Sequence, residues 1–244
     1  MIELRDLTKQ FAGHTAVDGV SLHVGQGETL VLLGTSGCGK TTTLKMINRL
    51  IEPTSGSISV DGIDVRQQPG PEFRRRIGYV IQDGGLFPHY TVAEAIATVP
   101  KLLGWEADVI QARTRELMAK LQLPETVLSR YPGELSGGQR QRIGLARALA
   151  ARPPVVLMDE PFGALDPFTR RHVRRELFGL NELRETTVVL VTHDVSEALE
   201  LADRIALMDK GKIIQIGSPD ELLNQPSTDF VREFLDDKPH RLHD

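Results

Sequence analysis

Two kinds of hydrophobic run recur along this chain. In residues 2–7, 20–24 and 57–61 apolar and polar positions alternate or nearly so, which predicts strands with one buried face and one wet face, paired antiparallel. Residues 29–33, 77–81, 155–158, 188–191 and 205–208 are almost continuously apolar instead. Such runs predict strands covered on both faces, as in a parallel sheet flanked by helices. Between the second and third of these lies a stretch with helical character at 91–103, 107–123 and 137–151 and no strand signal. Gly104 and Pro124 punctuate it, and Arg152-Pro153-Pro154 ends its last helix. The pattern predicts one α/β domain over 1–237: a core from 1–90 and 152–217 with a mainly parallel sheet, an N-terminal antiparallel β-subdomain, an inserted helical subdomain over 91–151, and C-terminal helices over 218–237. Residues 238–244 form a polar tail.

Composition narrows the class without naming it. Of 244 residues 40% are hydrophobic and 25% charged, the mix of a folded water-soluble protein rather than a disordered or fibrous one. With 29 Lys and Arg against 33 Asp and Glu the formal charge is −4, which disfavours nucleic acid as a partner. The basic groups at 74–76, 170–171 and 174–175 read as solvated helix faces. A single cysteine, Cys38, excludes an internal disulfide and a cysteine-rich zinc site. The first residues carry charges where a signal peptide would be apolar, and no apolar run is long enough to span a bilayer. A cytoplasmic protein is expected, whose membrane role, if it has one, comes through a spanning partner.

The chemistry lies at the ends of the buried strands. Gly34-Thr35-Ser36-Gly37-Cys38-Gly39-Lys40-Thr41 fits the phosphate-loop pattern, follows an apolar strand and precedes a helix-like run over 42–50 that starts with Thr42. The glycines let backbone N–H groups and a helix N-terminus point at phosphates, Lys40 adds a positive charge, and the Thr41 hydroxyl suits Mg2+. That places the chain among P-loop NTPase folds. A second strand ends in Asp159-Glu160, so two carboxylates stand at the sheet edge where α/β folds bind ligands. Asp159 is expected to hold the metal ion, and Glu160 to act as base or orienter for an attacking water. Ser136 with Gln139 three residues on reads as a capping box. Gly137 and Gly138 leave that helix start unobstructed for an anion. Cys38 reads as a side chain that the loop tolerates, although a thiol near a helix N-terminus can be acidified and reactive.

Leu135 to Gln139, followed by Arg140-Gln141-Arg142, resembles the signature motif of ABC transporter ATP-binding subunits. The resemblance extends in order over nearly the whole chain. It implies that Phe11 stacks on adenine, that Gln82 contacts Mg2+ and links the site to a membrane partner, that Asp166 in Gly163-Ala164-Leu165-Asp166 signals across a dimer, and that His193 contacts the terminal phosphate. Gly163 stands where many members have serine. The resemblance further implies a head-to-tail dimer of two copies, with the phosphate loop of one facing the Ser136 segment of the other across ATP. It places the pair peripherally on the cytoplasmic face of the inner membrane, bound to transmembrane permease subunits and serving a substrate-binding protein indirectly.

Residues 77–82, 85–89, 99–105 and 46–50 are similar to the ATPase subunits of osmoprotectant importers, which handle glycine betaine, carnitine, choline or proline betaine. Many relatives continue into a paired CBS module. No such segment is present up to Asp244, and regulation by that route is not expected. The segment 84–89 is expected to face the permease. Importers of other polar solutes, and soluble ABC ATPases acting on nucleic acid or ribosomes, are the alternative readings.

Overall fold

The computed structural model describes residues 1–82, 84–163 and 165–236; Ala164 and the tail from 237, with His240 and His243, lie outside them. In chain order the elements are β1 (Ile2–Phe11), β2 (His14–Val24), β3 (Thr29–Gly34), α1 (Lys40–Ile47), β4 (Ser55–Val60), β5 (Ile63–Asp64), α2 (Gly70–Arg75), β6 (Ile77–Val80), α3 (Val92–Leu102) and α4 (Ala107–Lys120). There follow α5 (Gly137–Leu149), β7 (Val155–Asp159), α6 (Pro167–Phe178), α7 (Asn181–Arg184), β8 (Thr187–Thr192), α8 (Val195–Leu201), β9 (Arg204–Asp209), β10 (Lys212–Gly217), α9 (Pro219–Asn224) and α10 (Asp229–Asp236). These divide into two compact units, Met1–Gln67 with Val189–Asp244, and Gln68–Val188.

In the first unit the alternating strands pair as expected, β1 running antiparallel to both β2 and β4. The two-residue loop Asp61-Gly62 closes the hairpin between β4 and β5, both residues at positive φ (53° and 75°), as a right-twisted hairpin demands. The continuously apolar strands behave differently. β9 runs parallel to β3 and antiparallel to β10, and Leu30 to Leu33 and Ile205 to Met208 are completely buried. Burial on both faces explains why neither strand alternates.

The second unit holds helices α3, α4 and α5 and the parallel pair β6 and β7. Thr91 caps α3 in a reciprocal box with Glu94, and Gly104 (φ 74°) ends it, its N–H on the Lys101 carbonyl and that of Trp105 on Pro100. Helices α3, α4 and α5 pack on one another. Buried Arg113 on α4 caps the end of α5, donating to the carbonyls of Leu149 (2.8 Å) and Ala150 (3.3 Å), and pairs with Glu116 and Glu182. Lys120 joins the same two carboxylates at 2.6 and 3.1 Å. Among the described residues no helix is long and apolar enough to cross a membrane.

Some element ends differ from the sequence reading. β6 stops at Val80, because the chain turns at once, with the Gly84 N–H on the Ile81 carbonyl (2.9 Å). The helix after the phosphate loop starts at Lys40 rather than Thr42. The basic groups at 74–76 and 170–175 lie on or at the end of helices α2 and α6, as their reading as helix faces expects, whereas strand β10 and helices α7 and α8 have patterns too short or too polar to be read from the sequence.

Candidate functional site

The phosphate loop in the first unit is held from three sides by backbone. At Gly34 (φ 151°) a Cβ would come under 3 Å from the Met208 carbonyl, and at Gly39 (φ 106°) under 3 Å from that of Ala16. The Gly211 N–H donates to the Cys38 carbonyl at 3.1 Å. Only a residue without a Cβ fits these approaches. At Gly37 (φ 80°) nothing lies within 4 Å of the corresponding position, so that face of the loop is open. Thr35 and Ser36 share the curl, the Thr35 carbonyl accepting weakly from the Cys38 N–H (3.4 Å).

Buried Lys40 donates to the carbonyls of Gly34 and Thr35, both at 2.8 Å, with its ammonium 3.8 Å from the Cys38 sulfur. Thr41 and Thr42, half-exposed, open helix α1. Cys38 is buried, which pushes its thiol up while the nearby Lys40 charge offsets only part of that, in keeping with a side chain the loop tolerates rather than a reactive thiol. Phe11, at the end of β1, is 43% exposed, with the Lys9 ammonium 5.0 Å from its ring centre. His193 is exposed immediately after β8, ahead of the α8 cap Asp194.

In the second unit β7 delivers Asp159, and Glu160 follows in a left-handed conformation (φ 44°) closed by the Gly163 N–H on its carbonyl at 3.1 Å. A non-glycine residue there is strained, which is common where a side chain must be aimed. A Cβ on Gly163 would stand 3.5 Å from Glu160 Oε2 and 3.7 Å from Gln82 Nε2, so the two side-chain ends flank this glycine. Tyr79 on β6 has its phenol pushed up to about 12 by burial and by the Asp159 charge.

Ser136 and Gln139 form the reciprocal box at the start of α5, at 3.2 and 3.0 Å. Gly137 and Gly138 occupy its first turn, and Gly138 also lies close to α6, where a Cβ would meet Thr169 Cγ2 at 3.3 Å. Asp166 caps α6, accepting from the N–H groups of Phe168 (3.1 Å) and Thr169 (3.0 Å). The Thr169 side chain foremost, and then these backbone N–H groups, hold its carboxyl below the usual carboxylate range.

Sequence reasoning passed over two groups. Arg147 on α5 donates to the carbonyls of Gly85 and of Tyr79 (3.3 Å), while Gly144 admits Gly84 so closely that a Cβ would be 2.7 Å from its carbonyl oxygen. The Gln82 turn is therefore fastened to α5. Beside His193, Thr192 and Glu197 form a buried pair, the Thr192 hydroxyl donating to Glu197 Oε2. An arginine among apolar residues in 143–149 and an acid three residues after Asp194 were the available signals.

The ABC transporter family profile matches residues 17–163. A glycine betaine/carnitine/choline transport ATP-binding protein of Bacillus subtilis is 51% identical over 236 residues, 96% of this chain and 62% of the relative. A glycine betaine uptake system ATP-binding protein of Escherichia coli is 53% identical over 96% of this chain and 76% of its own. A sulfate/thiosulfate import ATP-binding protein of Bradyrhizobium diazoefficiens is 48% identical, over 96% and 68%. This chain thus spans less than two thirds of the length of several curated relatives. Among solved structures, a dimeric ATP-binding cassette bound to ADP and Pi after hydrolysis superposes with a TM-score of 0.81 at 33% identity, covering 90% of this chain and 99% of that one. Likeness on this scale, in sequence and in fold, means that the chain belongs to the ABC transporter family.

Proposed function

We propose that this chain is the ATP-hydrolysing subunit of an importer for a quaternary-ammonium osmoprotectant such as glycine betaine, carnitine or choline. It acts as a head-to-tail pair on the cytoplasmic face of the plasma membrane, with permease subunits in the bilayer and a substrate-binding protein beyond them. The observation that carries the hydrolytic part is the strained Glu160 directly after Asp159, its carboxylate and the Gln82 amide both close to Gly163. The cargo rests on the glycine betaine, carnitine and choline relatives at about 50% identity.

In this reading the N–H groups of the loop from Gly34 to Thr42 receive the phosphates of ATP, Lys40 turns its charge from the loop carbonyls to them, and Phe11 stacks on adenine. The hydroxyl of Thr41, the carboxylate of Asp159 and the amide oxygen of Gln82 are hard oxygen donors that fit Mg2+. Bound there, Mg2+ would neutralise charge on the phosphates. Glu160 orients the attacking water or takes its proton, and His193 contacts the terminal phosphate. The open helix start at Ser136, Gly137, Gly138 and Gln139 of the second copy closes on the same phosphates, with Asp166 beside it. ATP then binds the closed pair better than the open one, and hydrolysis releases it.

Glu160→Gln is expected to retain ATP while losing on the order of 10²–10⁴ in hydrolysis rate. Uptake of labelled glycine betaine and choline at high osmolarity, in cells without their own uptake systems and supplied with the neighbouring permease genes, tests the whole reading. Uptake with the wild-type chain and none with Glu160→Gln supports it. ATP hydrolysis without uptake of either solute removes the cargo and favours the second reading, an importer of another polar solute, to which the 48% identical sulfate/thiosulfate relative points.

A further inference from the structure

Thr192 and Glu197 lie on either side of exposed His193, and both are almost completely buried, at 2% and 3% exposure. The Thr192 hydroxyl donates to Glu197 Oε2 at 2.6 Å and accepts from the Asp194 N–H at 3.0 Å. Asp194 in turn caps α8, accepting from the N–H groups of Ser196 (2.8 Å) and of Glu197 itself (3.1 Å). The backbone before His193 is therefore bonded through one hydroxyl to the backbone after it, and that hydroxyl is anchored by a carboxylate on the following helix.

A buried carboxylate is expensive, and capping does not require one here, since Asp194 already caps the helix. The bond it makes is short and buried, the kind that holds a turn in one geometry. We infer that Glu197 is a positioning residue for hydrolysis: through Thr192 it holds the turn that carries His193, so that the imidazole is already placed when the terminal phosphate arrives. This rests on the proposed role of His193. In solution terms the pair reduces the freedom His193 would otherwise lose on reaching the transition state.

The test is a double-mutant cycle on the purified full chain with MgATP. Glu197→Ala and Thr192→Val are each expected to lower kcat by about tenfold or more with KM within about twofold of wild type, while Thr192→Ser, which keeps the hydroxyl, stays near wild type. Added to His193→Ala, Glu197→Ala should cost nothing further, because the two losses pass through the same group. If the losses multiply, or if they fall on KM and thermal midpoint instead, Glu197 is structural and the inference is wrong. Should Glu197→Ala fail to fold, the contrast between Thr192→Val and Thr192→Ser decides by the same criteria. Wild-type turnover in His193→Ala alone would overturn the reading of His193 itself, an outcome distinct from additivity.

Discussion

At Gly39 the chain has no alternative residue. Its φ of 106° and the Ala16 carbonyl leave no room for a Cβ, so Gly39→Ala should destabilise the protein by more than about 2 kcal/mol in urea unfolding. Glu160 presents the reverse case. Its φ of 44° favours glycine, so Glu160→Gly should leave stability unchanged or raise it by up to about 1 kcal/mol while abolishing turnover. A clear loss of stability in that variant would show that the strain is not there. The glycines of the loop were legible in the sequence, because pattern and backbone demand coincide within eight residues. The strain at Glu160 was not, since nothing local to Asp159-Glu160 requires a left-handed turn.

Helix α5 links two features that lie far apart along it. Its start was readable from the Ser136 and Gln139 spacing, since a capping box is made within four residues, and Ser136→Ala should cost about 1 kcal/mol of stability. Its middle receives the Gln82 turn, through Gly144 against Gly84 and Arg147 on the Gly85 and Tyr79 carbonyls. Gly144→Ala is expected to push that turn aside and lower kcat for ATP more than it raises KM, as steady-state hydrolysis would show. An equal effect on both parameters would argue that the turn tolerates the displacement. No sequence period announces this contact, because it depends on where a turn some sixty residues earlier comes to lie.

Across the helical unit, Arg113, Lys120, Glu116 and Glu182 join α4, the end of α5 and α7. Lys120 first, and then Arg113, bring the Glu116 carboxyl down from 4.5 to about 2. A carboxylate with a lowered folded pKa contributes stability above its ordinary pKa and loses it as pH falls toward the lowered one. The gap in thermal midpoint between wild type and Glu116→Gln should therefore be full near neutrality and close between about pH 4.5 and 2. A gap constant through that window would exclude the ion pair as its source. For the molecule as a whole, the α/β class, the two kinds of strand, the phosphate loop, the acid-ended strand and the family are legible in the amino-acid sequence alone, because each is written in short-range pattern: period, turn chemistry and motif spacing. The strain at Glu160, the burial of Cys38, the seating of the Gln82 turn on α5 and the bond from Thr192 to Glu197 beside His193 arise only on folding. Those depend on which distant backbone approaches and on how far water is excluded, and neither quantity exists until the chain has folded.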